Sequence, residues 1–226
     1  MLLAIDTAAR PGTVAVWPKG ATSVAAVETL GDRDTAGTLA PAVARLIETY
    51  GPPSAYALDV GPGSFTGLRI GLAFVKGLAR GRPAPALGLG STEIIAADVF
   101  AKTEAEVAVG LLSASGGLVF AGGHLRDGSA WEALPVGLYS PEELRNRLEG
   151  HDGIALGGEG MSRLELPSVL RAEVGGPRAE TLARLAAERF SAGAVPLDLS
   201  ALEPAYHQLS AAEARLRERE AAARLS

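Results

Sequence analysis

The order of the predicted strands and helices constrains the fold most, because it occurs twice along the 226 residues. β-Branched and apolar runs between turn residues predict strands, and apolar residues spaced three and four apart predict helices. The first set contains strands over 2–5, 13–17, 23–30, 55–60 and 86–89 and helices over 39–50, 68–79 and 91–100, with Ser91 as an N-cap. The second set contains strands over 107–112, 118–125, 131–136 and 154–156 and helices from Ser140 and over 179–190.

Each set is a three-stranded meander followed by alternating helices and strands. This order predicts an α/β protein with two lobes, each a mixed sheet covered by helices. A charged, weakly patterned segment over 102–106 separates the sets, so we place the lobe boundary there, with lobes over 1–104 and 105–226. A further helix is predicted over 211–224 as a solvated tail.

Composition excludes several classes of protein. The chain has no cysteine, which excludes disulfides, thiol nucleophiles and cysteine-based metal sites. Its net charge is −5, whereas a chain that binds nucleic acid alone usually has a basic excess, so any RNA is expected to be held through a partner. No apolar run reaches the roughly 18 residues of a membrane span, and no secretory signal is recognisable. We therefore expect a soluble cytoplasmic protein.

Asp6 and Thr7 end the first predicted strand and form the first candidate site. A carboxylate at a strand end beside a turn can hold a hydrated metal ion near a phosphate. The same aspartate can instead close the hairpin as an Asx turn, which is the interpretation we favour.

A glycine-rich loop lies between a predicted strand and a predicted helix. Its residues are Gly61, Pro62, Gly63, Ser64, Phe65, Thr66 and Gly67. Such a loop before a helix can hold a phosphate, but its spacing matches neither a Walker A loop, a dinucleotide-binding loop nor a nucleophile elbow. The alternative is a tight turn in which Ser64 or Thr66 caps the helix.

The helix after this loop has two apolar stripes. One contains Leu68, Leu72, Val75 and Ala79, and the other contains Ile70, Phe74 and Leu78. One stripe can face the sheet, while the other needs cover from the helix over 39–50 or from a partner, because it is too large to leave in water. No histidine pair with metal-ligand spacing occurs, and His124 and His207 are interpreted as structural or surface residues.

Two motifs together resemble the TsaB (YeaZ) family: the segment 3–8, LAIDTA, and the segment 61–71, GPGSFTGLRIG. The resemblance covers the first hundred residues well and the remainder loosely. It implies an actin-like ATPase (ribonuclease-H-like) fold. It also implies a non-catalytic role beside the TsaD transferase in threonylcarbamoyl modification of the adenosine next to the anticodon of tRNAs that read ANN codons.

The resemblance also implies partners and contact residues. The expected partners are a TsaD-like transferase, a TsaE-like ATPase and, when the chain is alone, a second copy of itself. ATP and metal are expected on the partner subunits, no cofactor or metal on this chain alone, and tRNA contact only through the complex. The first two helices would carry the contact, through Leu39, Val43, Leu46, Ile47, Ile70, Phe74 and Leu78, with Asp6, Thr7 and the loop from Gly61 to Arg69 as structural motifs.

An alternative hypothesis is an enzyme. In this interpretation the chain is a nucleotide-dependent kinase or ATPase of the actin-like class that acts on its own, with Asp6 and a glycine loop at the phosphates.

Overall fold

The first sheet is an antiparallel meander extended by two parallel strands. The computed structural model describes residues 1–164, 170–199 and 202. The strands of this sheet are β1 (Leu2–Asp6), β2 (Thr13–Trp17), β3 (Ala26–Thr29), β4 (Ala55–Asp59) and β5 (Ala86–Leu89). Their order is β3-β2-β1-β4-β5, in which β2 is antiparallel to β1 and β3, and β4 is parallel to β1 and β5. The central strand β1 is therefore buried along its whole length.

The second sheet repeats this arrangement. Its strands are β6 (Val107–Ser113), β7 (Val119–Leu125), β8 (Gly137–Tyr139), β9 (Ile154–Gly157) and β10 (Leu170–Arg171). Their order is β10-β9-β6-β7-β8, again with three antiparallel strands followed by two parallel ones. The two mixed sheets confirm the predicted α/β class and the duplicated order of elements.

In the part of the chain that the structure describes, five α-helices cover the two sheets. They are α1 (Thr35–Tyr50), α2 (Phe65–Gly81), α3 (Ser91–Phe100), α4 (Pro141–Leu148) and α5 (Ala179–Ser191). Successive side chains of a strand point to opposite faces, so Leu3 and Ile5 pack with α1 and α2, whereas Leu2 and Ala4 pack with α5. The second sheet packs against α3 on one face and α4 on the other. In the described part of the chain, no helix combines the length and apolar character needed to cross a membrane.

Capping residues place the helix starts. The side chains of Asp34, Ser64 and Ser140 accept hydrogen bonds from first-turn N–H groups, so α1 and α2 begin several residues before their first predicted positions. This confirms Ser64 and Ser140 as caps. The predicted cap at Ser91 is wrong, because Gly90 holds that position and the Ser91 hydroxyl donates to Asp59 instead.

The strand predicted over 131–136 is also wrong. The Leu134 N–H donates to the Trp131 carbonyl at 3.1 Å, so these residues turn before the strand that pairs with β7 begins at Gly137. Leu134 is nevertheless fully buried, which explains why its apolar pattern imitates a strand. The third strand is shorter than predicted, at Ala26–Thr29. The tail helix predicted over 211–224 and His207 lie outside the described residues.

Candidate functional site

Two aspartates lie side by side at one edge of the first sheet. Asp6 ends β1 and Asp59 ends β4, and these parallel strands pair up to the preceding residues Ile5 and Leu58. Both carboxyl groups are buried. Asp6 Oδ1 accepts a hydrogen bond from the Ala8 N–H at 2.9 Å, which confirms the predicted Asx turn.

Asp59 holds the loop and the helix that follow it. Its Oδ1 accepts hydrogen bonds from the Gly61 N–H at 2.8 Å and from the Ser91 hydroxyl at 2.6 Å. Gly61 has a φ of +99°, a conformation that favours glycine. The aspartate therefore connects the start of the glycine loop to the first residue of α3.

The two carboxyl groups influence each other's protonation. Burial, followed by repulsion from Asp59, raises the pKa of Asp6 well above 3.8. Burial raises the pKa of Asp59 to about 6, against the hydrogen bonds from Ser91 and Gly61, which favour the charged form. The Oδ2 atoms of both residues are buried without another hydrogen-bond partner. A proton held between the two carboxyls satisfies both atoms at once.

This pair does not fit a metal centre. In residues 1–164, 170–199 and 202, no group of three or more His, Cys, Asp or Glu side chains is placed to hold a metal ion. Asp6 is fully buried and one of its oxygens is occupied by the turn, so it does not present a carboxylate to a hydrated cation. Burial instead favours the protonated form of both carboxyl groups.

The glycine loop packs closely on the turn that follows β1. The Ser64 N–H donates to the Ala8 carbonyl at 2.7 Å. A Cβ atom built on Gly63 would lie 2.5 Å from the same carbonyl oxygen, so no side chain fits there. Pro62 is buried and Thr66 is exposed. These contacts favour the tight-turn interpretation of the loop, because its inner side faces protein.

Thr7, the next residue along this turn, contacts α2. The sequence patterns selected Thr7 but did not predict this contact. Its side chain is buried, and its hydroxyl donates to the Gly67 carbonyl at 2.7 Å. Gly67 and Gly71 lie on the same side of α2, one turn apart. The only signal in the sequence is the spacing of these two glycines beside the second apolar stripe of the helix.

The predicted partner-binding residues separate into two groups. Leu39, Val43 and Leu46 are 1%, 1% and 3% exposed and face the sheet, so their assignment to a contact surface is corrected: they are core residues. The remaining four are half-buried and pack at the edge of the same core. They are Ile47, Ile70, Phe74 and Leu78. The reason for the error is geometric, because a helix on a sheet buries its strongest apolar stripe against that sheet.

The first turn of α2 also carries an aromatic contact. The guanidinium of Arg69, which is exposed, lies 4.0 Å from the centre of the half-buried Phe65 ring. This distance is within the range of a cation–π interaction. It gives the loop motif a second local contact beside the Ser64 cap.

The first turn of α3 connects the two sheets. Ser91 donates to Asp59 in the first sheet, and the next residue, Thr92, lies 3.0 Å from Nε2 of His124 in the second. Burial lowers the pKa of His124 to about 4, so its imidazole is neutral at pH 7. These contacts fit the predicted structural role of His124.

The fold and this site define a class of protein: an actin-like, ribonuclease-H-like α/β protein with two duplicated lobes. Residues 37–134 match the family model of TsaD, the tRNA N6-adenosine threonylcarbamoyltransferase. The chain is 31% identical to the tRNA threonylcarbamoyladenosine biosynthesis protein TsaB of Escherichia coli K12, over 85% of this chain and 88% of that protein. It therefore belongs to the TsaB (YeaZ) family.

More distant relatives agree with this placement. The TsaB protein of Haemophilus influenzae is 26% identical over 69% of this chain and 71% of its own length. The crystal structure of a Pseudomonas aeruginosa protein described as similar to the peptidase YEAZ has a TM-score of 0.78 at 26% identity, covering 92% of this chain and 99% of that one. A second structure, YeaZ from the same species, has a TM-score of 0.76 at 26% identity, covering 91% and 98%. Membership of the family places the chain in tRNA threonylcarbamoyladenosine biosynthesis.

Proposed function

We propose that this chain is a non-catalytic subunit that binds and supports a TsaD-type transferase during threonylcarbamoyl modification of ANN-reading tRNAs. The contact is made by the half-buried apolar side chains that α1 and α2 carry at the rim of the core, a surface that we call the partner face and define by Ile47, Ile70, Phe74 and Leu78. In this proposal the nucleotide and the metal belong to partner subunits, among them a TsaE-like ATPase. The tRNA is reached through the complex in the cytoplasm.

The partner face carries the proposal. Its four apolar side chains are half-buried and pack at the rim of the core, where part of each side chain stays exposed. Beside them α2 presents small exposed residues, Ala73 and Gly77, and a Cβ built on Gly77 would meet no atom within 4 Å. Partly exposed apolar side chains next to small residues allow another helix to approach closely. The same surface can join two copies of the chain when the transferase is absent.

The state of Asp6 supports a non-catalytic role. A cavity of about 480 Å³ lies between the lobes beside the hairpin turn, where Ala9, Arg10 and Thr13 are among its lining residues. Asp6 does not line it and is fully buried beside Asp59. A carboxyl group that is buried in the core and has one oxygen held by a turn is poorly suited to hold a metal ion at a phosphate.

Mixing experiments test the proposal directly. Size-exclusion chromatography with light scattering is run on the chain alone and with the TsaD protein encoded in the same genome. A new one-to-one species is expected. The proposal is overturned if no complex forms at tens of micromolar with or without ATP, or if the chain alone hydrolyses ATP in single-turnover assays and Asp6→Ala abolishes this hydrolysis.

A charge placed on the partner face tests the contact surface. Phe74→Asp would bury an unpaired carboxylate at the contact, a cost of several kcal/mol, and is expected to weaken TsaD binding by more than about 100-fold. Leu170→Asp, the same kind of change at the exposed edge of the second sheet, is the matched control and should bind as the wild type does. Circular dichroism verifies that both variants are folded. Wild-type affinity in folded Phe74→Asp would rule out this surface.

A further inference from the structure

We infer that Thr7 is a positioning residue: it fixes where α2 lies, and through α2 it fixes the geometry of the partner face. This inference rests on the proposed function for its readout and adds a residue that does not touch the partner. Thr7 is 3% exposed and lies beneath the first two turns of the helix. Its role therefore has to act through α2.

The contact between Thr7 and α2 has no spare room. A Cβ atom built on Gly67 would lie 1.9 Å from the Thr7 carbonyl oxygen, and one built on Gly71 would lie 2.4 Å from Thr7 Oγ1. Neither glycine has a positive φ, so their backbone conformation suits any residue. Close approach, and not backbone freedom, is what requires glycine at these two positions. The helix consequently rests directly on the turn after β1.

Polar contacts fix the same junction in two places. The Thr7 hydroxyl donates to the Gly67 carbonyl at 2.7 Å, and the Ser64 N–H donates to the Ala8 carbonyl at 2.7 Å. The first bond determines the height of the helix above the turn, and the second anchors the residue that caps it. Both bonds come from residues next to each other on the hairpin turn.

The contact between the turn at Thr7 and Ala8 and the start of α2 also determines where the partner face lies. Gly67 and Gly71 precede Ile70 and Phe74 by three residues each, so the apolar side chains lie about 60° around the helix from the glycines. If the helix moved away from Thr7, both side chains would move with it by a similar distance. Interfaces packed to the density of protein interiors tolerate such displacements poorly.

A compensating pair of substitutions tests the inference. Gly71→Ala places a methyl group against Thr7 Oγ1, which forces the helix away from the turn, and is expected to weaken TsaD binding about 10-fold. In the Thr7→Ala background the clash is absent, because the next atoms around that methyl are Thr7 Cβ at 3.6 Å and Ile5 Cγ2 at 3.7 Å. Adding Gly71→Ala to Thr7→Ala should therefore change the affinity by less than about threefold.

Titration calorimetry with TsaD is performed at a temperature where circular dichroism shows every variant folded. Thr7→Ser, which keeps the hydroxyl, should bind within about twofold of the wild type, and Thr7→Val, which keeps the shape and loses the donor, should bind about fivefold more weakly. These two variants decide the matter if Gly71→Ala does not fold. Full affinity in folded Gly71→Ala or Thr7→Val, with Phe74→Asp defective in the same assay, overturns the inference and leaves the proposed function intact. Full affinity in Phe74→Asp as well rules out the partner face, whereas no binding of the wild type to TsaD means that the proposed function has failed.

Discussion

Replacing Asp59 with asparagine should stabilise the protein above pH 6 and leave it unchanged near pH 4. The asparagine carbonyl can accept the hydrogen bonds from Gly61 and Ser91 that Asp59 Oδ1 accepts, and its amide can donate to Asp6. The substitution therefore keeps the local geometry and removes only the titratable group. Its effect isolates the free energy that the buried carboxyl costs when it ionises.

The magnitude follows from the pKa of Asp59. Burial raises it from 3.8 to about 6, so the folded state holds a proton that the unfolded state has released. The protonated Asp59 side chain therefore makes its full contribution to the free energy of unfolding below pH 3.8, and this contribution is lost as the pH rises through about 6. The gap between 3.8 and about 6 corresponds to about 3 kcal/mol. At pH 8 Asp59→Asn should therefore be about 3 kcal/mol more stable than the wild type.

Urea unfolding followed by circular dichroism from pH 4 to pH 8 measures this difference. Subtracting the wild-type curve cancels the titratable groups that do not interact with Asp59, among them His124, whose depressed pKa gives the opposite slope. Asp6 does not cancel: removing the Asp59 charge makes its ionisation less costly, which adds to the stabilisation with the same sign. Asp127→Asn is the matched control, because hydrogen bonds from Ser129 lower the pKa of this exposed carboxylate below 3.8. Asp127 therefore titrates below the pH range measured, and the difference between Asp127→Asn and the wild type should hardly change from pH 4 to pH 8. A difference between Asp59→Asn and the wild type that stays constant over this pH range would refute the reasoning.

Two further outcomes are expected. Ser64→Ala removes the cap of α2 and should lower the free energy of unfolding by about 1 kcal/mol in urea titration, with Ser64→Asp restoring it; an unchanged midpoint would contradict this. The imidazole of His124 should remain neutral down to about pH 5 in nitrogen-15 NMR spectra, because burial lowers its pKa to about 4, and a titration near 6.5 would show that the ring is solvated.

Local patterns in the sequence predicted the fold well. Strand and helix periodicity, together with turn residues, locates eight of the ten strands in the described residues, all except β8 and β10. It also locates all five helices in those residues. The strand predicted over 131–136 is misplaced for a physical reason. Leu134 is buried by a turn that folds back onto Gly123, and burial in a turn gives the same apolar pattern as burial in a strand.

The polar contacts of the site were harder to predict. Asp59 becomes a partner of Asp6 only because β1 and β4 are parallel neighbours whose carboxyl ends meet at one edge, and this pairing joins residues 53 positions apart. The hydrogen bond from the Ser91 hydroxyl to Asp59 and the Thr92–His124 contact likewise form only because α3 packs between the two sheets. A serine at the start of a helix usually caps it through a local hydrogen bond, so the sequence alone favours a cap at Ser91. Its actual bond to Asp59 depends on the tertiary structure.

The two motifs on which the family resemblance rests form a single structural unit. Asp6 and Thr7 come from the first motif: one turns into the core toward Asp59, and the other contacts Gly67 and Gly71 of the second motif. The first motif therefore explains two glycines of the second, since a Cβ on Gly67 would meet the backbone carbonyl oxygen of Thr7 and one on Gly71 would meet its hydroxyl. Both motifs are therefore needed to hold α2, and with it Ile70, Phe74 and Leu78, in place, whatever chemistry the chain performs.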